Sequence, residues 1–165
     1  MEETDARPWA VIDLDGVLAD VGHRLHHLSR RPKDWDAFFG AASDDPLLAE
    51  GHAVVARLAE DHQVIYLTGR PEYLRRTTSA WLEQHALPAG ELLMRRRGDF
   101  RPSRVAKVEA LRRLAGQRPV GVVVDDDDQV VAAARAAGFT VLHADWAADS
   151  DEAALREAQE RDGRT

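Results

Sequence analysis

Short apolar runs alternate along this chain with segments of helical periodicity, and this alternation limits the possible folds more than any other feature. The apolar runs read WAVIDL (9–14), QVIYLT (63–68), ELLM (91–94), GVVVD (121–125) and FTVLHA (139–144). Apolar residues at helical spacing fall within 47–61, 72–86, 104–115 and 129–137. Apolar strands separated by helices are typical of a parallel sheet covered on both faces. The sequence therefore predicts an α/β fold, a Rossmann-like parallel sheet sandwiched by helices.

The length of 165 residues suits a single domain, which we place at 1–147. The segment from about Val21 to Asp45 is longer than an ordinary connection. We expect it to form a small insert after the first strand, lying over the strand ends, with a short helix at 33–40. Residues 148–165 are predicted to form a C-terminal helical tail that lies at the surface and frays.

Composition narrows the classes of protein to consider. The chain contains no cysteine, which excludes disulfides and thiolate chemistry and fits a reducing compartment. The opening MEETDARPW lacks the order of a signal peptide, and no apolar run approaches the roughly 20 residues of a membrane helix. We expect a soluble, cytoplasmic protein with no membrane partner. The net charge of −7 is not that of an obvious nucleic-acid binder, although basic residues crowd within 95–107.

Three of the apolar runs end in polar residues: Asp13, Thr68 and Asp125. In parallel α/β sheets, ligands bind beyond the carboxyl ends of the strands. A polar residue at each of three such ends therefore predicts a shared site.

Asp13 and Asp15 could supply complementary chemistry at that site. A carboxylate can attack phosphorus, and a second one nearby can transfer protons to and from oxygen. Carboxylates at close range repel unless a cation lies between them, and Mg²⁺ takes oxygen ligands of the kind that Asp125–Asp128 could add. The alternatives are a strand cap with an Asx turn for the first pair, and a solvated acidic turn capping the next helix for the DDDD run.

Thr68 and Lys107 are candidate phosphate ligands. The Thr68 hydroxyl and the backbone N–H groups around Gly69 could bind phosphate oxygens, and Lys107 could neutralise phosphate charge. The alternatives are an ordinary turn into a helix at Pro71 and a solvated surface lysine.

The ordered motifs DLDGVLAD, LTGR, a lysine and VVVDDDD resemble those of the haloacid dehalogenase (HAD) superfamily, over residues 9–146. Asp15 indicates a phosphatase-type member, since the dehalogenases lack this aspartate and cation-pumping ATPases have threonine there. The segments LTGRPE, LLMRRRGDFRPSRVAKVEAL and VVVDDDDQVVAAARAAGF further resemble the 3′-phosphatase domain of polynucleotide kinase/phosphatases. Asp127 departs from that pattern, because relatives commonly have arginine at this position.

The resemblance implies a role for each matching residue. Asp13 would form an aspartyl-phosphate, Asp15 would act as acid and base, and Thr68 and Lys107 would hold phosphate oxygens. The Mg²⁺ ligands would be the Asp13 carboxylate, the Asp15 carbonyl, Asp125 and Asp126. The residues expected to bind substrate are Gly69, Arg70, Arg95, Gly98, Asp99 and Arg101.

The resemblance also implies a role in nucleic acid repair, with phosphorylated 3′ ends as substrate. Insert residues Arg24, Arg30, Arg31 and Trp35 could add stacking and charge for single strands. No GxxxxGK[ST] loop occurs in the sequence, so a kinase or ligase would be a separate partner. Two alternatives stay open: a phosphatase for mononucleotides or other small phosphoesters, and a nucleic-acid-binding module that has lost its chemistry.

Overall fold

A five-stranded parallel sheet forms the centre of the computed structural model, which describes residues 5–147 and 152–165. The strands are β1 (Trp9–Ile12), β2 (Gln63–Pro71), β3 (Gly90–Arg95), β4 (Val120–Asp125) and β5 (Val141–His143). Their order is β3-β2-β1-β4-β5, and each neighbouring pair is parallel. The predicted fold class and the five predicted strands are confirmed.

Seven α-helices occur among the described residues. They are α1 (His26–Ser29), α2 (Trp35–Gly40), α3 (Ala49–Leu58), α4 (Arg75–Gln84), α5 (Ser103–Ala115), α6 (Asp128–Ala136) and α7 (Glu152–Glu160). The predicted helices correspond to α2 through α7, whereas the four-residue α1 in the insert was not predicted. None of the described helices is long and apolar enough to cross a membrane.

The strands are apolar throughout because helices cover both faces of the sheet. On β1, Ile12 packs in one cluster with Trp81 of α4, while Val11 packs in a second cluster with Leu111 of α5 and Val131 of α6. Neighbouring residues of a strand point to opposite faces, so each face of β1 requires apolar side chains.

A third hydrophobic cluster joins the insert to the C-terminal tail. Leu28 and Phe38 of the insert pack with Leu155 and Ala158 of α7, and all four are buried. The expectation of a fraying surface helix was wrong for α7, because Leu155 and Ala158 share a helix face that docks onto the insert. Residues 148–151, with which the tail was predicted to begin, lie outside the described residues.

The topology places β1 beside β4 at the point where the strand order reverses. From β1 the chain proceeds to β2 and β3 on one side, and it returns to β4 and β5 on the other. Open α/β sheets bind ligands at such a switch point, beyond the carboxyl ends of the strands. Asp13 directly follows β1 and Asp125 ends β4, so these two carboxylates meet there.

Candidate active site

Asp13, Lys107 and Asp125 form the buried centre of the site. The Asp13 N–H donates to the Val124 carbonyl at 2.9 Å, which ties the end of β1 to β4. The Lys107 ammonium, projecting from α5, lies 3.0 Å from Asp13 Oδ1 and donates to Asp125 Oδ2 at 2.7 Å. One cation therefore bridges the two strand-end carboxylates.

Burial makes the charge state of this centre depend on its neighbours. Burial raises the pKa of Asp13 well above its usual value, and the negative charge of Asp125 raises it further. For Lys107, burial acts to lower the pKa, but Asp125 and Asp13 outweigh it and raise the pKa above its usual value. Lys107 is thus a fixed cation between two carboxylates, and the charge of one carboxylate disfavours ionisation of the other.

Asp126 adds a third carboxylate to the centre. Burial, with the charge of Asp125 as the next cause, raises the pKa of Asp126 to about 6. Its Oδ2 accepts a hydrogen bond from Arg156 of α7 at 3.1 Å. Gly16 allows this approach: it has φ +82°, and a Cβ there would lie 2.0 Å from Asp126 Oδ2.

The carboxylates fit a divalent cation. Oxygen atoms of Asp13, Asp125 and Asp126 lie within 4.8 Å of one another. Asp13 Oδ2 and Asp126 Oδ1 are buried and accept no hydrogen bond from the described residues. A buried carboxylate oxygen without a donor is costly unless a cation binds it, and hard cations such as Mg²⁺ prefer oxygen ligands.

Asp15 has a different environment from Asp13. Its Oδ1 accepts hydrogen bonds from Arg70 Nη2 at 2.6 Å and Nε at 3.0 Å, and from Arg24 Nη2 at 3.3 Å. Burial acts to raise the pKa of Asp15, but the charges of Arg70 and Arg24 together hold this pKa below its usual value. Asp15 is therefore ionised at neutral pH in this state, ready to accept a proton.

Asp45, at the end of the insert, organises the two arginines. Its carboxylate accepts hydrogen bonds from Arg24 Nε at 2.8 Å and Arg70 Nη2 at 2.9 Å, and His23 Nε2 lies 2.6 Å from it. Sequence reasoning missed Asp45, because nothing local marks a carboxylate that meets its partners across the fold. It also placed Arg24 among the residues for nucleic acid binding, which is wrong because Arg24 is fully buried against Asp15 and Asp45.

Thr68 and Gly69 lie at the end of the neighbouring strand. Thr68 is buried, and its hydroxyl accepts a hydrogen bond from the Arg70 N–H at 3.1 Å. The Gly69 carbonyl accepts from Arg95 Nε at 3.1 Å. The β2 end thus contributes a hydroxyl and a side-chain-free backbone to the site.

The predicted substrate-binding arginines have internal partners. Arg95 is buried and also donates to the Asp99 and Arg101 carbonyls, at 3.3 and 2.8 Å. Arg101 pairs with Asp99 at 2.8 Å and with Glu109 at 2.5 Å. These contacts, with Gly98 at φ +79°, hold residues 96–101 in one shape, which we call the arginine loop.

The arginine loop also presents free positive charge. Arg96 and Arg97 are exposed and form no ion pair with any described residue. Phe100 of this loop is 61% exposed, and Tyr73 is 68% exposed. Both aromatic residues line the same depression as the two arginines.

Asp127 does not join the acidic centre as a free carboxylate. It is the N-cap of α6, and its Oδ1 accepts from the Gln129 N–H at 2.9 Å. The helix-capping alternative considered for the DDDD run therefore holds for Asp127, the position at which the resemblance led us to expect arginine. Arg156 of α7 brings positive charge to this position instead, at 4.0 Å from Asp127 Oδ2.

The C-terminal residues reach the site, which sequence reasoning did not predict. The Thr165 hydroxyl donates to Asp15 Oδ2 at 3.3 Å. Thr165 and Asp15 are 150 positions apart in the sequence, so no local pattern could have predicted this contact.

Comparison with known proteins gives a family match over most of the chain. The family model described as the polynucleotide kinase PNKP phosphatase domain matches residues 8–148. No curated protein sequence matches the chain.

Solved structures share the fold. Two structures of a Pnkp1/Rnl/Hen1 complex, one described as an RNA repair complex, match with TM-scores of 0.69 and 0.70 and 23% and 24% identity. These matches cover 90% and 89% of this chain but 46% and 49% of those chains, so the chain spans about half the length of these relatives. A HAD family enzyme from Bacteroides thetaiotaomicron, solved with magnesium and inorganic phosphate, matches with a TM-score of 0.52 and 11% identity, covering 89% of this chain and 98% of that one.

Proposed function

Because the chain belongs to the family of the polynucleotide kinase PNKP phosphatase domain, within the HAD phosphatases, we propose that it is a Mg²⁺-dependent phosphatase that removes 3′-phosphates from nucleic acid ends. The observation that carries this proposal is the contrast between two aspartates in one buried site. Asp13 has an unpartnered oxygen beside Lys107, whereas Asp15 is held by two arginines. One is suited to attack phosphorus and the other to move protons.

The proposed metal ligands are the carboxylates of Asp13, Asp125 and Asp126 and the backbone carbonyl of Asp15. When bound, Mg²⁺ would supply positive charge for the phosphate oxygens and favour the ionised form of these carboxylates. This matters for Asp13, whose pKa is raised by burial and by Asp125 and which must be ionised to act as a nucleophile.

Asp13 and Asp15 divide the reaction between them. In the first step an Asp13 oxygen forms a bond to phosphorus, the bond from phosphorus to the 3′ oxygen breaks, and that oxygen takes a proton from Asp15. In the second step water attacks the aspartyl-phosphate, gives a proton to Asp15, and the bond from phosphorus to Asp13 breaks. Thr68 and Lys107 hold the phosphate oxygens in both steps.

Asp15 must be protonated for the first step, although it is ionised in the substrate-free site. The negative charge of a bound phosphate would raise the pKa of Asp15 and oppose the effect of Arg70 and Arg24. Substrate binding itself would thus prepare the proton donor, and transfer of the proton to the leaving oxygen would restore the base.

Support for a nucleic acid substrate comes from the arginine loop. Exposed aromatic rings beside unpaired arginines suit single-stranded nucleic acid, since bases stack on rings and arginine binds phosphate in two-point contacts. Phe100 and Tyr73 with Arg96 and Arg97 form such a surface. The arginine loop then owes its shape to Arg95, Gly98, Asp99 and Arg101. The part of the site that would bind phosphate, at the end of β2, is shaped by Gly69 and Arg70.

We further propose that other enzymes of end repair, such as a kinase or ligase, act as separate partners. The structural relatives in the Pnkp1/Rnl/Hen1 complexes support this, since each is described as part of a multi-component assembly.

The test is phosphate release, with Mg²⁺ and with EDTA, from three substrates: a 3′-phosphorylated oligonucleotide, the same oligonucleotide with a 5′-phosphate, and a 3′-mononucleotide. We expect Mg²⁺-dependent release with the 3′-phosphorylated oligonucleotide preferred, and none from the Asp13→Asn variant. Equal rates on the three substrates would contradict the 3′-end specificity and favour the small-phosphoester alternative. No release from any of them, with binding of the oligonucleotide retained, would favour a binding module.

A further inference from the structure

Residues 161–165 reach into the site rather than lying beside it. Thr165 is only 4% exposed, and its hydroxyl donates to Asp15 Oδ2 at 3.3 Å. Its carbonyl oxygen lies 3.5 Å from Arg95 Nη2. A Cβ at Gly69 would lie 2.2 Å from the Thr165 carbonyl carbon, so Thr165 fills the space beside the β2 end where a phosphate would bind.

Gly163 and Arg164 lie against the surface that would receive the bases. Gly163 has φ +58°, and a Cβ there would lie 2.0 Å from the Phe100 carbonyl oxygen, so the backbone presses against the arginine loop at a position that requires glycine. The Arg164 guanidinium carbon lies 4.6 Å from the centre of the Trp35 ring and 5.6 Å from that of Phe100. A planar cation thus rests on rings on which a planar base could stack.

Ion pairs outside the site hold this segment in place. Lys33 of the insert, whose side chain is 10% exposed, contacts Asp162 and lies 3.1 Å from Glu157 of α7. Burial of Leu155 and Ala158 against the insert fixes α7 itself. We call Lys33 with Glu157 and Asp162 the tail latch.

We propose that residues 161–165 are an intramolecular pseudosubstrate, with Thr165 in the place of the phosphate and Arg164 in the place of a base, and that substrate binding requires this segment to leave. The identity of the displaced ligand rests on the proposed function. Because the segment competes with substrate, its occupancy multiplies KM by one plus the ratio of closed to open molecules and leaves kcat unchanged.

The tail latch allows a test without altering the catalytic residues. Lys33→Glu places three negative charges together and should open the segment. We expect KM for a 3′-phosphorylated oligonucleotide to fall by about tenfold, the change that 1.4 kcal/mol produces, with kcat retained. The charge swap Lys33→Glu with Asp162→Lys should restore the wild-type KM.

Two further variants serve as controls. Asp162→Lys alone removes the other partner of the Lys33–Asp162 ion pair and should have the same effect as Lys33→Glu. Arg112→Glu, on the exposed surface of α5, makes the same change of charge away from the tail latch.

A second readout does not depend on catalysis. Because the chain contains no cysteine, Thr165→Cys introduces a single thiol at a buried position. We expect iodoacetamide to modify it slowly, and at least tenfold faster in the Lys33→Glu background or when inorganic phosphate with Mg²⁺ displaces the segment. The charge swap should restore slow modification.

The two readouts separate this proposal from the proposed function. Fast modification of the Thr165→Cys thiol with an intact latch would overturn the pseudosubstrate, as would faster modification in Lys33→Glu with an unchanged KM. If no variant hydrolyses a phosphoester but phosphate still accelerates modification of the thiol, the proposed function fails. The proposal that residues 161–165 occupy an anion-binding site is then still supported. A circular dichroism melting curve for each variant shows that the comparison is made between folded proteins.

Discussion

At the scale of single residues, the site combines three carboxylates with two cations. Lys107 pairs with Asp13 and Asp125, Arg156 pairs with Asp126, and two of the carboxylate oxygens have no donor among the described residues. Ionising all three carboxylates without a further cation is unfavourable because each is buried near the others. The free energy of folding should therefore depend on both pH and Mg²⁺.

The pKa of Asp126 indicates the pH range over which the stability of the folded protein should change. This pKa is raised from 3.8 to about 6 in the folded protein, so the folded state binds more protons than the unfolded state between these values. The free energy of unfolding should then fall as pH rises from about 4 to about 6, by up to about 3 kcal/mol from this group. Urea unfolding across this range, with EDTA and with Mg²⁺, measures it, and Mg²⁺ should reduce the decline by favouring the carboxylate.

The control for this prediction is Asp126→Asn, which cannot ionise. In EDTA the variant should lack that part of the decline, and Mg²⁺ should stabilise it less than the wild-type protein. Identical pH profiles for wild type and variant, unaffected by Mg²⁺, would contradict the charge balance described for the site.

Residues also differ in how far the sequence could predict them. Asp13, Thr68 and Asp125 follow apolar runs, so their shared position could be predicted from strand ends alone. The same reasoning could not reach Asp45 or Thr165, because their partners are distant in sequence and no motif marks them. Arg24 was misassigned for the same reason, since the sequence does not show that it is buried against Asp15.

At the scale of elements, α7 links the insert to the active site. Leu155 is buried in the cluster formed with Leu28 and Phe38, although the sequence suggested only a fraying surface helix. The sequence predicts the nine-residue helix itself, but the docking of the helix depends on an insert whose own structure the sequence only partly predicts. The five strands were predicted because their apolar runs are continuous, a pattern that does not depend on distant contacts.

The docking of α7 predicts a local effect for Leu155→Ala. Removing this side chain should cost about 2–4 kcal/mol, which loosens α7 and the insert helices α1 and α2 while leaving the sheet folded. Hydrogen exchange should become at least tenfold faster in these three helices and remain unchanged in β1 and β4. The control is Leu111→Ala in the second cluster, which should lower the stability of the whole domain; the same exchange pattern in both variants would contradict a separate docking unit.

At the scale of the whole molecule, the local charge beside the site is opposite in sign to the net charge of the protein. The net charge of −7 would repel nucleic acid at long range, yet the arginine loop concentrates positive charge beside the site. The topological switch between β1 and β4 places the acidic centre at the carboxyl ends of the strands. Residues of the insert and the tail contact the site there, through Asp45 and Thr165. Under the proposed function, phosphate chemistry and polymer recognition would take place on adjacent but different surfaces.

The central claim is that Asp13 carries the phosphate during turnover. The most direct measurement is mass spectrometry of peptides from enzyme quenched in acid during reaction with a 3′-³²P-labelled oligonucleotide and Mg²⁺. We predict label on the peptide containing Asp13, lost on chase with unlabelled substrate and missing from Asp13→Asn. Steady release of phosphate with no label on Asp13, or with label on another residue, would contradict the account.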